Sequence, residues 1–184
     1  MIPKINFRAL NAKDVAVFFS CIRDNEASFS PWLDTPARVT SLIDAEREVS
    51  LSIFLDQRFP ARFGLFDAGT LVGSSKCFLV DKSAPDIEIG FWIGGKYRSQ
   101  GLGMLLLSET LKHVFNEMRP SRVTLRCADK NIHSQKLIES VGAISEGTIR
   151  NGARIQGSLQ DCRIYGILID EFRGDMHGPS RDRN

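Results

Sequence analysis

The sequence predicts an α/β domain built on a mixed sheet, and three observations carry that class. Seven short segments alternate apolar and polar residues, the period of a half-buried strand. Four longer segments repeat apolar residues at three- and four-residue spacing, the period of an amphipathic helix. The two kinds follow one another as β-α-α-β-β-β-α-β-α-β-β, without the repeats or linkers that would divide the chain.

Each element has its own local reason. "INFRAL" alternates and opens the chain as a strand. Asn11 then caps a helix to about Arg23, with Val15, Phe18, Phe19 and Ile22 on one face. "SFSPWLDTP" reads as a loop that exposes Trp32, and a second helix is expected from about Thr35 to Gln57. "ARFGLF" and "LVGSSKCFLV" form a hairpin around the turn "DAGT". "DKSAP" breaks the chain before a strand from Asp86 to Ile93. There Ile87, Ile89, Phe91 and Ile93 share one face and Glu88, Gly90 and Trp92 the other. A glycine-rich turn leads into a helix burying Leu107, Leu111, Val114, Phe115 and Met118. "RVTLRCA" is a strand with Val123, Leu125 and Cys127 inward. "NIHSQKLIESVG" is a short helix capped by Asn131 and ended by Gly142. "ISEGTIR" and "DCRIYGILI" close the sheet. Residues 1–172 are thus expected to form a single domain, and 173–184 a polar, flexible tail.

Composition narrows the function classes. The chain has 184 residues, 42% hydrophobic and 25% charged, ordinary values for one globular core. A net charge of +2 gives no general reason to expect a nucleic-acid partner. The first twenty residues carry Lys4, Arg8, Lys13 and Asp14, which argues against a signal peptide. No apolar run approaches the ~18 residues of a membrane span. Cys21, Cys77, Cys127 and Cys162 stand far apart, with no CxxC pair and no His in metal-binding spacing. The expectation is a reduced, cytoplasmic, metal-free protein, monomeric or homodimeric.

The chemistry concentrates in "FWIGGKYRSQGLGMLLLSETL". A helix N-terminus presents unpaired N–H groups and the positive end of the helix dipole, and glycines let the backbone wrap an anion. Arg98, Gly101 and Gly103 form R-x-x-G-x-G at that place, with Lys96 adding charge. A Walker loop fails because Tyr97 follows the Gly-Lys pair. A dinucleotide fingerprint lacks its third glycine, replaced by Leu106, although Asp129 keeps a nicotinamide oxidoreductase in view. The acyl-CoA pattern [QR]-x-x-G-x-[GA] fits throughout. A plain glycine-rich turn with solvated basic residues is the alternative on the loop alone.

The blocks "IEIGFWIGGKYRSQGLG", "NIHSQKLIESVGAISEGTIR" and "DCRIYGIL", in that order and spacing, resemble the GNAT superfamily of N-acetyltransferases. Within it they resemble the RimJ/RimL-like branch, which acetylates ribosomal-protein N-termini. The resemblance is weak from Ile5 and strong from about Arg62 to Glu171. It implies a mostly antiparallel sheet of about seven strands, flanking helices and a splayed central strand pair. It implies acetyl-CoA as co-substrate, no metal, and direct attack of an amine on the thioester. By resemblance the backbone of Arg98, Ser99, Gln100, Gly101, Leu102, Gly103 and Met104 takes the pyrophosphate, and the strand Phe91, Trp92, Ile93 runs beside the pantetheine arm. Asn131 bonds that arm, unless it only caps its helix, and Ser134 reaches the sulfur as proton donor.

The acceptor side is less determined. Glu88 is the first candidate for a proton relay or for binding the acceptor; a salt-bridged strand residue is the bland alternative. Where the branch often carries Glu after "EG", this chain has Ala153. Asp161 matches the branch's Asp in D-x-x-x-Y, with Tyr165 behind it. Trp32 and Phe29 fall in the acceptor-loop region, and His133 is expected to face outward. The expected reaction is acetylation of a primary amine: a protein N-terminal α-amine, with a ribosomal protein as leading guess. Alternatives are a small amine such as an antibiotic, an aminoacyl nucleotide or a polyamine, or a non-catalytic acyl-CoA-binding module. No membrane and no direct nucleic-acid partner is expected.

Overall fold

The structure is a computed structural model that describes residues 5–50, 61–81 and 86–174. Seven strands lie in one sheet: β1 (Ile5–Ala9), β2 (Arg62–Asp67), β3 (Thr70–Asp81), β4 (Asp86–Ile93), β5 (Arg122–Ala128), β6 (Ile144–Ile155) and β7 (Ser158–Leu168). Their spatial order is β1-β2-β3-β4-β5-β7-β6. Every neighbouring pair is antiparallel except β4–β5, which is parallel because a helical crossover joins those strands. The parallel ladder begins at Asp86↔Arg122 and ends at Ile89↔Leu125. Beyond it β4 pairs only with β3, and β5 only with β7. The splayed central pair is therefore present, and its fork opens after Ile89. Its closed end is clamped by Asp86, whose two carboxylate oxygens accept from the Thr124 hydroxyl at 2.9 and 3.0 Å.

Helices cover both faces. Helices α5 (Leu102–His113) and α6 (Ile132–Ser140) pack against Ile87, Ile89, Val123 and Leu125. The opposite face carries α1 (Val15–Asp24), the single turns α2 (Glu26–Phe29) and α3 (Thr35–Arg38), and α4 (Leu42–Ser50). Phe18, Ile22, Phe29 and Trp92 form the core there. The alternation read from β4 holds: Ile87 and Ile89 point to one core and Trp92 to the other. Among the described residues no helix is long and apolar enough to cross a membrane.

Three expectations change. The helix expected over 35–57 is two helices, because Asp44 starts a new one. Its carboxylate accepts from the backbone N–H of Thr40 (3.2 Å) and Ser41 (3.0 Å), and the Ser41 hydroxyl oxygen in turn accepts from the Asp44 N–H at 3.2 Å. Residues 51–57 of the expected helix lie outside the described residues, as does the expected tail from residue 175. The Trp32 segment is not wholly loop, since α2 forms a helical turn there, and Trp32 is half-buried. The last hairpin runs past Arg150 and begins before Asp161. Asn151-Gly152 interrupts the alternation as a bulge, and the chain turns at Gln156-Gly157, both with positive φ (49° and 76°).

Candidate active site

The fork of β4 and β5 becomes a site because two helix N-termini face it. The β4–α5 connection turns at Ser99 (φ 59°) and Gly101 (φ 75°). At Gly101, which precedes the first residue of α5, the left-handed backbone favours glycine, and no atom stands within 4 Å of where a Cβ would point. The N–H groups of Leu102, Gly103 and Met104, in the first turn of α5, have no intrahelical acceptor, and among the described residues no side chain caps them. At Gly103 the need for glycine is different: a Cβ would stand 2.8 Å from Leu137 Cδ2. Its absence lets α5 approach α6 closely.

The connection is held from the other face of the sheet. Asn25, at the end of α1, accepts from the Gly95 N–H at 2.6 Å and donates to the Cys21 carbonyl at 2.9 Å. Arg98 turns back, bonding the carbonyls of Ile93 and Ser28 at 3.3 Å each. Its guanidinium therefore braces the loop as well as charging it.

A cavity of about 450 Å³ lies on the β4 side of the fork. It is lined by Phe91, Trp92 and Ile93 of β4, by Arg98, Ser99, Gly101, Gly103 and Met104, and by Asn131, His133, Ser134 and Leu137 of the α6 end. Asn131 caps α6, its side chain accepting from the Ser134 N–H at 3.2 Å, so cap and cavity residue coincide. A second cavity of about 330 Å³ adjoins it on the face of Glu88, Gly90 and Lys76. Trp32, Leu33, Phe91 and Trp92 line both and form the wall between them. Trp92 is held between Phe18 and Phe29, with ring centroids at 6.1 and 5.0 Å, and its buried Nε1 has no hydrogen-bond partner among the described residues.

The second cavity is strongly charged. Glu88 lies 3.1 Å from Arg126 Nε. Burial pushes the Glu88 carboxyl above its usual range, against the pull of Arg126, and Asp86 adds to the rise. Beneath Lys76, the buried Glu48 meets Arg62 at 2.5 Å, Lys76 at 3.0 Å and Arg38 at 3.5 Å. Burial lowers Arg62 to about 10 although Glu48 opposes it, and burial and Arg62 together lower Lys76. Burial favours a protonated Glu48, but Arg62 and Lys76 outweigh it and hold that carboxyl below its usual range.

Most of the residues read from the sequence meet at the first cavity. Gln100 and Leu102 do not line it: the Gln100 amide bonds the Lys96 carbonyl at 2.9 Å, and Leu102 packs beside the small core around Leu106. Glu88 and Trp32 line the second cavity. Asp161 lines neither; exposed on β7, it accepts from the Asn151 N–H at 2.9 Å and so holds the bulge. Tyr165 is fully buried, its hydroxyl 3.3 Å from Glu139. His133, expected to face outward, is exposed yet stands on the rim of the first cavity. Ala153 lines the second. Sequence reasoning missed Asn25, Lys76 and Arg126. Asn25 reaches Gly95 from the end of α1, Lys76 pairs with Gly90 of β4, and Arg126 meets Glu88, placements that became visible only in the folded chain. Among the described residues no group of three or more His, Cys, Asp or Glu is placed to hold a metal, and the four cysteines are unpaired.

A family model described as "Acetyltransferase (GNAT) domain" matches residues 4–144. The chain is 27% identical to "Putative ribosomal N-acetyltransferase YdaF" of Bacillus subtilis, over 93% of this chain and 94% of that one. It is 23% identical to the "Ribosomal-protein-serine acetyltransferase" of Escherichia coli, over 90% of this chain and 93% of that one. Among solved structures, RimL, a ribosomal L7/L12 α-N-protein acetyltransferase in complex with coenzyme A, superposes with a TM-score of 0.82 at 21% identity. That match covers 95% of this chain and 97% of RimL.

Proposed function

Because the chain belongs to the GNAT acetyltransferase family and so moves acetyl from acetyl-CoA to an amine, we propose that its acceptor is the α-amine of a protein N-terminus, a ribosomal protein first among the candidates. One observation carries the reading: the cavity at the glycine turn and the cavity at Glu88 share the wall of Phe91 and Trp92. A carrier entering from one side and an amine from the other would meet there. The ribosomal-protein names of two relatives support the acceptor class, and a cytoplasmic location follows from it.

The open turn at Gly101 and the uncapped first turn of α5 fit a bound pyrophosphate. Acetyl-CoA supplies an activated thioester. The residues divide the remaining work. The N–H groups of Leu102, Gly103 and Met104 hold the anionic end, with Arg98 bracing the loop. The edge of β4 facing the fork leaves backbone groups of Phe91 to Ile93 without a strand partner on that side, available to the carrier's amides and to the acetyl oxygen. Asn131 orients the first turn of α6, and Ser134 offers a hydrogen bond to the departing sulfur. An α-amine has a pKa of about 7.7–8.0, so part of it is neutral near pH 7.5 and positioning can supply much of the rate. Glu88, directly or through water, accepts the proton the amine releases.

Thiol release from acetyl-CoA, measured against N-terminal peptides and small amines, tests this. Turnover with peptides is expected. Turnover confined to small amines would refute the acceptor class, and saturable acetyl-CoA binding without turnover on any amine would leave only a binding module.

A further inference from the structure

Strand register sets two cations side by side, and a third lines the same cavity from beyond the end of the β4–β5 ladder. Arg62 of β2 pairs with Lys76 of β3, and Lys76 pairs with Gly90 of β4. The parallel ladder stops at Ile89↔Leu125, and the next residue of β5 is Arg126. All four line the second cavity. Cross-strand neighbours stand about 5 Å apart on a shared face, which sets Lys76 beside Gly90; Arg126, one residue past the end of the β4–β5 ladder, lines the same cavity from the splayed strand. Gly90 leaves the floor between them open: a Cβ there would meet nothing closer than Phe78 at 3.6 Å.

The local charge does not close. Arg62, Lys76 and Arg38 converge on the one carboxylate of Glu48. Arg126 has Glu88, and Arg154 on the rim donates to the Gly157 carbonyl. Among the described residues five cations line this cavity, against the carboxylates of Asp34 and Glu88 on its wall and Glu48 beneath it. The Lys76 side chain is only 13% exposed and that of Arg62 only 5%, so bulk solvent screens this excess poorly. A cationic pocket of this kind is costly when empty and selective when an anion fills it.

We propose that the acceptor carries a carboxylate close to its reactive amine, held between Lys76 and Arg126 above Gly90, and that the preferred substrate is a peptide with Asp or Glu as its second or third residue. This rests on the N-terminal acetylation reading above. With the amine at the Phe91–Trp92 wall, one or two residues of extended chain at about 3.4 Å each, plus a side chain, reach the Gly90 floor. A neutral peptide would leave the excess of positive charge uncompensated, and a Lys there would add to it.

The test compares kcat/KM by thiol release for peptides that differ only at position two: Ser-Glu, Ser-Gln and Ser-Lys. The wild-type enzyme should favour Ser-Glu over Ser-Gln by about tenfold or more, the range of a charge-assisted hydrogen bond, and by more over Ser-Lys. The preference should shrink as ionic strength rises. In Lys76→Gln the Glu-to-Gln ratio should fall towards one, and in Arg126→Gln it should fall in part. The acetyl-CoA Kd of the same samples reports whether the fold and the first cavity are intact. Equal turnover of Ser-Glu and Ser-Gln would overturn the inference and leave N-terminal acetylation standing. A ratio unchanged in both variants would overturn the assignment to Lys76 and Arg126. Turnover of phosphate-bearing small amines with none on any peptide would overturn both readings together.

Discussion

Asn25 gives the sharpest test of how the glycine turn is built. It is seventy residues from Gly95 in sequence, yet its Oδ1 takes the Gly95 N–H at 2.6 Å while its Nδ2 holds the Cys21 carbonyl at 2.9 Å. Asn25→Ala removes both bonds and leaves a half-buried N–H and a carbonyl without that partner. A net hydrogen bond is worth about 1 kcal/mol and an orphaned buried group costs about 1–3 kcal/mol, so the total loss should be about 2–3 kcal/mol. The loop that Asn25 holds is the one that presents the N-terminus of α5. Part of the loss, about 1–2 kcal/mol, should therefore appear as a 5- to 30-fold rise in the acetyl-CoA Kd, since the loop must now be ordered on binding. Isothermal titration with acetyl-CoA and urea unfolding, done on the same protein, separate the two parts. Asn25→Asp sharpens the comparison, because a carboxylate still accepts from Gly95 but cannot donate to Cys21. It should lose stability while keeping most of the cofactor affinity. Asn25→Ala with lowered stability and an unchanged Kd would refute the positioning role and leave a purely structural one.

Three further outcomes follow from the same geometry. Gly103→Ala should push Leu137, whose Cδ2 stands 2.8 Å from the new Cβ, towards the first cavity; a Tm within a few degrees of wild type with a several-fold weaker acetyl-CoA Kd would be expected, because helix propensity offsets the packing strain. Glu88→Gln should lower kcat about 10- to 100-fold with the acetyl-CoA Kd unchanged. Its pH profile is the decisive readout: a base whose pKa is raised loses its ionised form as pH falls through that raised value, so the wild-type rate should steepen there and the variant should not. Asp14→Asn removes the charge and the bidentate pair with Arg8 at 2.7 Å, while its amide oxygen can still accept from the Asn11 N–H now held at 2.9 Å, and should cost about 1–2 kcal/mol at pH 7, the partly exposed Arg8 keeping the figure modest. The Asp14 pKa is lowered chiefly by its bond to Arg8, so its contribution is present above the free carboxylate value near 3.9 and is lost as pH falls below it; urea midpoints of wild type and variant should converge in that acid range.

What could be read from the sequence was whatever local chemistry determines. The cap at Asn131, the turn at Gly101 and the two faces of β4 each depend on neighbours within a few residues, and each stands where the pattern put it. The seven strands followed in the same way, while the mostly antiparallel sheet and its splayed central pair were what the resemblance implied. The errors fall where a short-range signal had two meanings. Asn151-Gly152 carries turn chemistry but serves a bulge, because the sheet continues on both sides and Asp161 satisfies the freed N–H. "TSLID" is a helix start that periodicity alone smoothed over. The residues missed at the site, Asn25, Lys76 and Arg126, share another property: each matters through a partner on a different element, Gly95, Glu48 or Glu88. Nothing local marks such a residue.

The fork itself explains why function gathers here. β4 and β5 are both central strands, and in a fully paired sheet the backbone groups after Ile89 and Leu125 would be spent on each other. The pairing stops there, while β3 and β7 keep the outer edges of the two strands satisfied. The result is a pair of rigid strand ends, each held on one side and open on the other. An edge of this kind offers backbone hydrogen bonds to a guest without needing loop flexibility to do so. α5 and α6 both begin beside the opening, so an anion and an extended arm can be held by backbone alone. Side chains are then free to differ on the acceptor face, where Arg62, Lys76 and Arg126 line one cavity with Gly90. On this view the glycine turn and the fork set the reaction, and the cations of that cavity set the substrate. Substitutions among them should therefore change which amines are acetylated before they change how tightly acetyl-CoA is held.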